Sequence, residues 1–184
     1  MNEIFKDGNV GKRFIDCDSE VYIFFLRKLS SIIDDDKTDE LQGDLKLPHL
    51  KIGELSDFGP LPPGSRLPFA NNAVFTGREN ELLKLANYLL HENRDANDEI
   101  RAAAVITGLE GIGKTQVAVE FCYRYGRLFQ GVHWIQADRG ISQEVAECGA
   151  AMSLDRWPDK TSEQAALTFK VWSEEKMHLL VVDN

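Results

Sequence analysis

The sequence predicts an α/β fold, because apolar segments that resemble strands alternate with segments that resemble helices. The strand candidates are RAAAVIT (101–107), GVHWIQA (131–137) and HLLVVDN (178–184). Strands joined through helices are typical of a parallel sheet covered on both faces. Two further observations favour this class: a loop with three glycines follows the first strand, and the last strand ends in Asp183.

Helical spacing of apolar residues identifies the intervening elements. Residues 114–125 place Val117, Ala118, Phe121, Cys122 and Tyr125 on one face, and we expect Phe121 and Cys122 to be core residues. SQEVAECGAAM (142–152) and SEQAALTFKVWSEEK (162–176) are the next two helices. VFTGRENELLKLANYLL (74–90) predicts an earlier helix, with Thr76 and Glu79 spaced as a capping box. The apolar residues of that earlier helix are Leu82, Leu85, Ala86 and Leu89.

The chain before residue 74 is predicted to lie outside the main domain. Residues 1–42 are expected to form a poorly ordered extension, with a helix that starts near Ser19 and ends before the acidic run 34–36. Residues 43–73 hold five of the six prolines and predict a linker or an extended arm. The folded domain is therefore predicted to span residues 74–184.

Composition excludes several classes of function. The net charge is −9 and there is no basic tract, so we predict no nucleic-acid partner. The three cysteines form no CxxC pair, which argues against a disulfide framework or a zinc site. The longest apolar run, VYIFFL, has six residues, whereas a membrane span needs about 20. We therefore predict no membrane partner, reduced thiols and a cytoplasmic location.

The glycine loop matches the phosphate-binding pattern G-x-x-x-x-G-K-[ST] between a strand and a helix. Glycines allow backbone N–H groups to turn toward a phosphate, and the following helix directs its positive end at it. Lys114 adds charge near the β- and γ-phosphates, and the Thr115 hydroxyl is a ligand for Mg²⁺. The candidate residues for nucleotide binding are Gly108, Glu110, Gly111, Ile112, Gly113, Lys114, Thr115 and Gln116.

Asp183 is the second candidate ligand for the metal. It ends the apolar strand LLVVD, as does the metal-holding aspartate of P-loop NTPases. The pairing of the loop with this aspartate therefore predicts a Mg²⁺–nucleotide site on a P-loop NTPase-type sheet.

The segments VFTGREN-EL, GLEGIGKTQVAVEF, GVHWIQAD and HLLVVDN occur in the order found in NB-ARC domains of the STAND class. Over about residues 66–184 the chain resembles fungal NLR-like proteins, in which this domain often precedes tetratricopeptide repeats. The resemblance implies that ADP or ATP binds with Mg²⁺, that Phe75, Thr76, Gly77 and Arg78 join the site, and that the domain acts as a switch. It also implies a homo-oligomer of the full-length parent.

Two departures from that family affect the expected activity. Asn184 follows the metal-binding aspartate where many related ATPases have an acid, and an amide cannot act as a base. By the family's topology a later strand separates the loop strand from the Asp183 strand, so we expect about three parallel strands, with a central gap or a different pairing. We therefore expect a truncated domain that binds nucleotide weakly and turns it over slowly or not at all.

Two alternative functions and one specificity stay open from the residues. A stand-alone P-loop ATPase is the first alternative, and a non-catalytic interaction module on the same fold is the second. The choice of ATP over GTP rests on the resemblance alone.

Overall fold

A computed structural model describes residues 21–26, 54–92, 100–174 and 177–184. The strands are β1 (Val21–Leu26), β2 (Ile100–Ile106), β3 (Gly131–Gln136) and β4 (His178–Asp183). The helices are α1 (Glu79–Asn87), α2 (Lys114–Tyr125), α3 (Ile141–Ala151) and α4 (Thr161–Glu174). A π-helical turn follows α1 at Tyr88–Glu92, and two short 3₁₀ turns lie at Gly126–Leu128 and Ala137–Arg139. The α/β class predicted from the sequence is confirmed.

The four strands form one sheet in the order β2-β1-β4-β3. β3 and β4 are parallel, whereas β1 pairs antiparallel with both β2 and β4. β2 and β4 therefore run in the same direction on either side of β1. The first residue of β1, Val21, lies opposite Ile106 on one side and Asp183 on the other.

β1 corrects two expectations. The helix predicted from near Ser19 is wrong over 21–26, which form a strand; the rest of that predicted helix lies outside the described residues. The described residues form four strands rather than about three, and of the two expected arrangements the different pairing is observed, because β1 lies antiparallel between β2 and β4. The physical reason is that six consecutive apolar residues, rich in β-branched and aromatic types, suit a strand buried between two others.

The two faces of the sheet carry separate hydrophobic clusters. Along β4, Leu179 and Val181 join the cluster under α1 and α2, while Leu180 joins the cluster under α3 and α4. The first cluster also contains Val21 and Ile23 of β1. Helices thus cover both faces, which is the arrangement that a largely buried sheet requires.

The predicted helices are confirmed, with one local correction. All five apolar residues predicted for α2 are buried, and so are Leu82, Ala86 and Leu89 of the first helical segment. The capping box is wrong, because α1 starts one residue after Arg78 with no side-chain cap. Glu79 instead accepts a hydrogen bond from the backbone N–H of Gly77 at 3.1 Å.

Residues 54–73 form an arm that bonds α2 through Gly59 and Phe69 and bonds the edge of β3 through Arg66. The Arg66 N–H donates to Val132 O, and the Trp134 N–H donates to Arg66 O, both at 2.8 Å. The Arg66 guanidinium also bonds Glu144 and Glu147 of α3. These residues therefore contact both the sheet and the helices, and 43–53 lie outside the described part of the chain.

Candidate functional site

The glycine loop joins β2 to α2 in the predicted place. Gly111 and Gly113 have φ of 75° and 93°, in the left-handed region that glycine adopts without steric cost. Gly113 is also the N-cap residue of α2, and no side chain caps that helix. The first-turn amides of α2 are consequently directed at the loop without a competing side-chain acceptor.

Lys114 is held against the inside of the loop. Its side chain is buried, and its Nζ donates to the carbonyl oxygens of Gly108 and Leu109, each at 2.9 Å. The ammonium therefore lies within the turn of the loop, and its hydrogen bonds go to backbone acceptors.

Thr115 and Asp183 meet although they are 68 residues apart. The Thr115 hydroxyl lies 3.2 Å from Asp183 Oδ2 and 3.4 Å from Oδ1. Burial, and to a lesser extent the negative charge of Asp138, raises the pKa of Asp183. The hydrogen bond from Thr115 and the positive charge of Lys114 lower it, but the net shift is upward. Ionisation of this carboxyl is thus penalised by burial, and a nearby cation would relieve the penalty.

The segment before α1 touches the loop through one residue. Arg78 donates to the carbonyl oxygen of Ile112 at 2.9 Å, which ties this segment to the loop. Arg78 also lies 3.4 Å from Glu81. Phe75 packs against the core and Thr76 is exposed, whereas Arg78 is hydrogen-bonded directly to the loop.

Three of the remaining predicted residues lie on the exposed side of the loop or of the first turn of α2. Glu110, Ile112 and Gln116 are exposed. Sequence reasoning missed Val21, which lies between the loop strand and Asp183, and Asp138, whose charge acts on Asp183. The β-branched and aromatic content of VYIFFL was the signal that could have revealed Val21.

Further protein ligands for a metal are not grouped at this site. Within the described ranges no group of three or more His, Cys, Asp or Glu is placed to hold a metal ion. Thr115 and Asp183 are the oxygen donors that meet beside the loop. No helix in the described part of the chain is both long and apolar enough to cross a membrane.

Comparisons of the chain with protein-family models, with curated proteins and with solved structures found no match.

Proposed function

We propose that the chain binds a nucleoside di- or triphosphate, ADP or ATP, together with Mg²⁺ on the loop 108–115. The observation that carries the proposal is the meeting of Thr115 and Asp183 at a glycine loop that contains the buried Lys114. These are a hard-oxygen pair and a cation beside a helix N-terminus, the groups that recognise a metal-bound polyphosphate.

Phosphate binding requires Lys114 to exchange its present hydrogen-bond acceptors, two loop carbonyl oxygens, for phosphate oxygens. Phosphate oxygens are anionic, so they are stronger acceptors for the Lys114 ammonium than the two loop carbonyls it contacts now. Left-handed Gly111 and Gly113 allow the loop backbone to approach a phosphate closely. Arg78, which bonds Ile112 O, would hold the loop in place during this exchange.

The metal side can be tested for fit against coordination geometry. In an octahedral Mg²⁺ site with Mg–O of about 2.1 Å, adjacent ligand oxygens lie about 3.0 Å apart. The Thr115 and Asp183 oxygens are 3.2 Å apart, which is close to such an edge. They would take two positions and leave the others to phosphate and water. Bound Mg²⁺ would supply charge neutralisation at the phosphates.

We further propose that the domain is a slow switch rather than a fast ATPase. Asn184, next to Asp183, has an amide that cannot take a proton from water. Exchange of ADP for ATP, with the γ-phosphate as the differential contact, would then carry the signal. The NLR-like role, the adenine preference and the homo-oligomer rest on the resemblance of the motifs, whereas the proposed cytoplasmic location rests on the composition of the chain.

The test is a titration of the full chain with fluorescent ADP and Mg²⁺. Lys114→Ala removes charged hydrogen bonds worth about 1.5–3 kcal/mol, so the Kd should rise roughly 10- to 150-fold. Lys170→Ala is the matched control, because Lys170 lies on α4 and is exposed; its Kd should not change.

A second variant isolates the metal. Thr115→Val keeps the shape of the side chain and removes its oxygen, so the affinity should lose its dependence on Mg²⁺. Equal binding by wild type and Lys114→Ala would refute the phosphate-loop assignment, and an unchanged Mg²⁺ dependence in Thr115→Val would refute the metal assignment.

A further inference from the structure

Two buried histidines face each other at the opposite end of the sheet from the glycine loop. His133 Nε2 lies 3.1 Å from His178 Nδ1, and both residues are almost fully buried. His178 is the first residue of β4 and Asp183 its last. At about 3.3 Å per residue the pair lies roughly 16 Å from the carboxyl end of β4, so it is separate from the proposed nucleotide site.

Gly131 creates the space for this pair. It lies directly opposite His178 in the β3–β4 register, and His133 follows two positions later on the same face. A Cβ at 131 would lie 2.6 Å from His133 Nε2 and 3.0 Å from His178 Nδ1. Any larger residue would therefore force the two imidazoles to move.

His133 Nε2 and His178 Nδ1 face each other across the position of the hydrogen-bonding proton, and a metal cation can take the place of that proton. Both rings are almost fully buried, and burial disfavours the charged imidazolium, so the neutral rings that a metal requires are favoured. Among the described residues no partner bonds His133 Nδ1, so none fixes which ring nitrogen carries the proton. The tautomer with its lone pair toward His178 is accordingly available.

The pair borders a cavity of about 340 Å³, which gives a ligand room to reach it. Gly131 lines the cavity with the two histidines, and the rest of its wall is Pro63, Gly64, Gln130, Met152 and Leu154. Trp172 of α4 packs on His133 with ring centroids 4.8 Å apart and closes the other side.

We propose that His133 and His178 form a binding site for a soft monovalent transition-metal ion, Cu⁺. A metal about 2.0–2.1 Å from each nitrogen, with a tetrahedral angle, places the nitrogens about 3.3 Å apart. The observed 3.1 Å needs only a small opening to reach this. Neutral imidazole is a suitable ligand for copper, and Met152 in the same wall is a residue type with a soft sulfur.

Charge decides between Cu⁺ and the commoner Zn²⁺. None of the described residues that line this cavity is a carboxylate or a thiol. The cost of burying an ion grows with the square of its charge, so a site of neutral ligands penalises a divalent ion more. The lining therefore favours the monovalent ion.

The test uses the full chain in a Cys17→Ser background under anaerobic reducing conditions, with the Cu⁺–bicinchoninate complex as the metal source. Cys122 and Cys148 are buried; burial raises the pKa of Cys148 to about 12 and raises that of Cys122 as well, so both thiols stay protonated. The parent should remove one Cu⁺ from the chelator. His178→Gln should weaken Cu⁺ binding at least tenfold, and the control His49→Gln should leave it unchanged.

Gly131→Ala gives an independent result, because it keeps both histidines and adds the colliding Cβ. It should also weaken Cu⁺ binding at least tenfold, with a retained cooperative thermal transition as the check of folding. The proposal is overturned if the parent removes no Cu⁺, if His178→Gln and Gly131→Ala bind it like the parent, or if Zn²⁺ binds and Cu⁺ does not.

Discussion

The insertion of β1 between β2 and β4 makes Ile23 the most informative position for a stability test. Ile23 is fully buried, and its Cα partners are Ala104 on β2 and Val181 on β4. Ile23→Ala removes three carbons, worth about 0.8 kcal/mol each in transfer free energy, or about 2.4 kcal/mol. The cavity would lie in the cluster between the sheet and helices α1 and α2, where the neighbouring side chains are fully buried and relax only in part, so the full loss should reach about 3–4 kcal/mol.

The assay is urea denaturation of the full chain, followed by tryptophan fluorescence. Ile141→Ala is the matched control: it makes the same chemical change at a residue that is 40% exposed, and it should cost under about 1 kcal/mol. Trp134 and Trp172 lie in the two core clusters and report on both faces of the sheet. If Ile23→Ala costs no more than Ile141→Ala, the placement of β1 inside the sheet is refuted.

Three further predictions concern charge. Arg66→Met leaves the buried carboxylate of Glu144 without its cation, so urea denaturation should show that the free energy of unfolding falls by about 3 kcal/mol. The control Lys160→Met removes the cation of an exposed pair and should lower it by under about 0.5 kcal/mol. Asp183→Asn removes a carboxylate whose pKa burial raises, so calorimetry should show a higher Tm without nucleotide, while binding loses its Mg²⁺ dependence; a lower Tm would contradict this. Burial lowers the pKa of His133 to about 3, so between pH 6.5 and pH 3 the unfolded chain binds a proton at this ring that the folded chain does not. The free energy of unfolding is therefore unaffected by this ring above pH 6.5 and falls by up to about 1.4 kcal/mol per pH unit below it. His133→Gln should flatten the profile of stability against pH between pH 6.5 and 5.

The elements that the sequence predicted well are those whose pattern is local. The α2 face repeats at helical spacing from Val117 to Tyr125, and every member is buried. Residues 179–182 of β4, LLVV, are a continuous apolar run with side chains on both faces of the sheet, as a central strand requires. Local spacing and burial agree in both cases, so no distant contact was needed to interpret them.

β1 was not predicted because its conformation depends on partners far along the chain. A six-residue apolar run is compatible with a helix or a strand, and Val21 finds its partners 85 and 162 positions later, at Ile106 and Asp183. The capping box failed for a related reason. Thr76 has the right spacing, but the N-cap position of α1 is Arg78, whose side chain bonds the distant Ile112 O.

In the candidate site, too, the features that a local motif specifies were predictable from the sequence, and the distances set by the sheet were not. The motif itself specifies that Lys114 and Thr115 lie at the start of a helix, because G-x-x-x-x-G-K-[ST] is a continuous pattern. The distance from Thr115 to Asp183 is a property of the sheet, which no spacing in the sequence reports. The same holds for His133 and His178, which are brought together by the register of β3 on β4 and by the missing side chain at Gly131.

β1, which comes from the early part of the chain, sets the distance between the two strands that carry the proposed metal site. Adjacent strands lie about 4.8 Å apart, so β2 and β4 are separated by about 9.6 Å with β1 between them. The glycine loop must cross this width for Thr115 to come within 3.2 Å of Asp183. Pairing of β1 fixes the width, and a Mg²⁺–nucleotide that bridges the loop and Asp183 would favour the same width. Because such a coupling free energy acts equally in both directions, a nucleotide bound at the loop should strengthen the pairing of β1, and a loosened β1 should weaken the nucleotide.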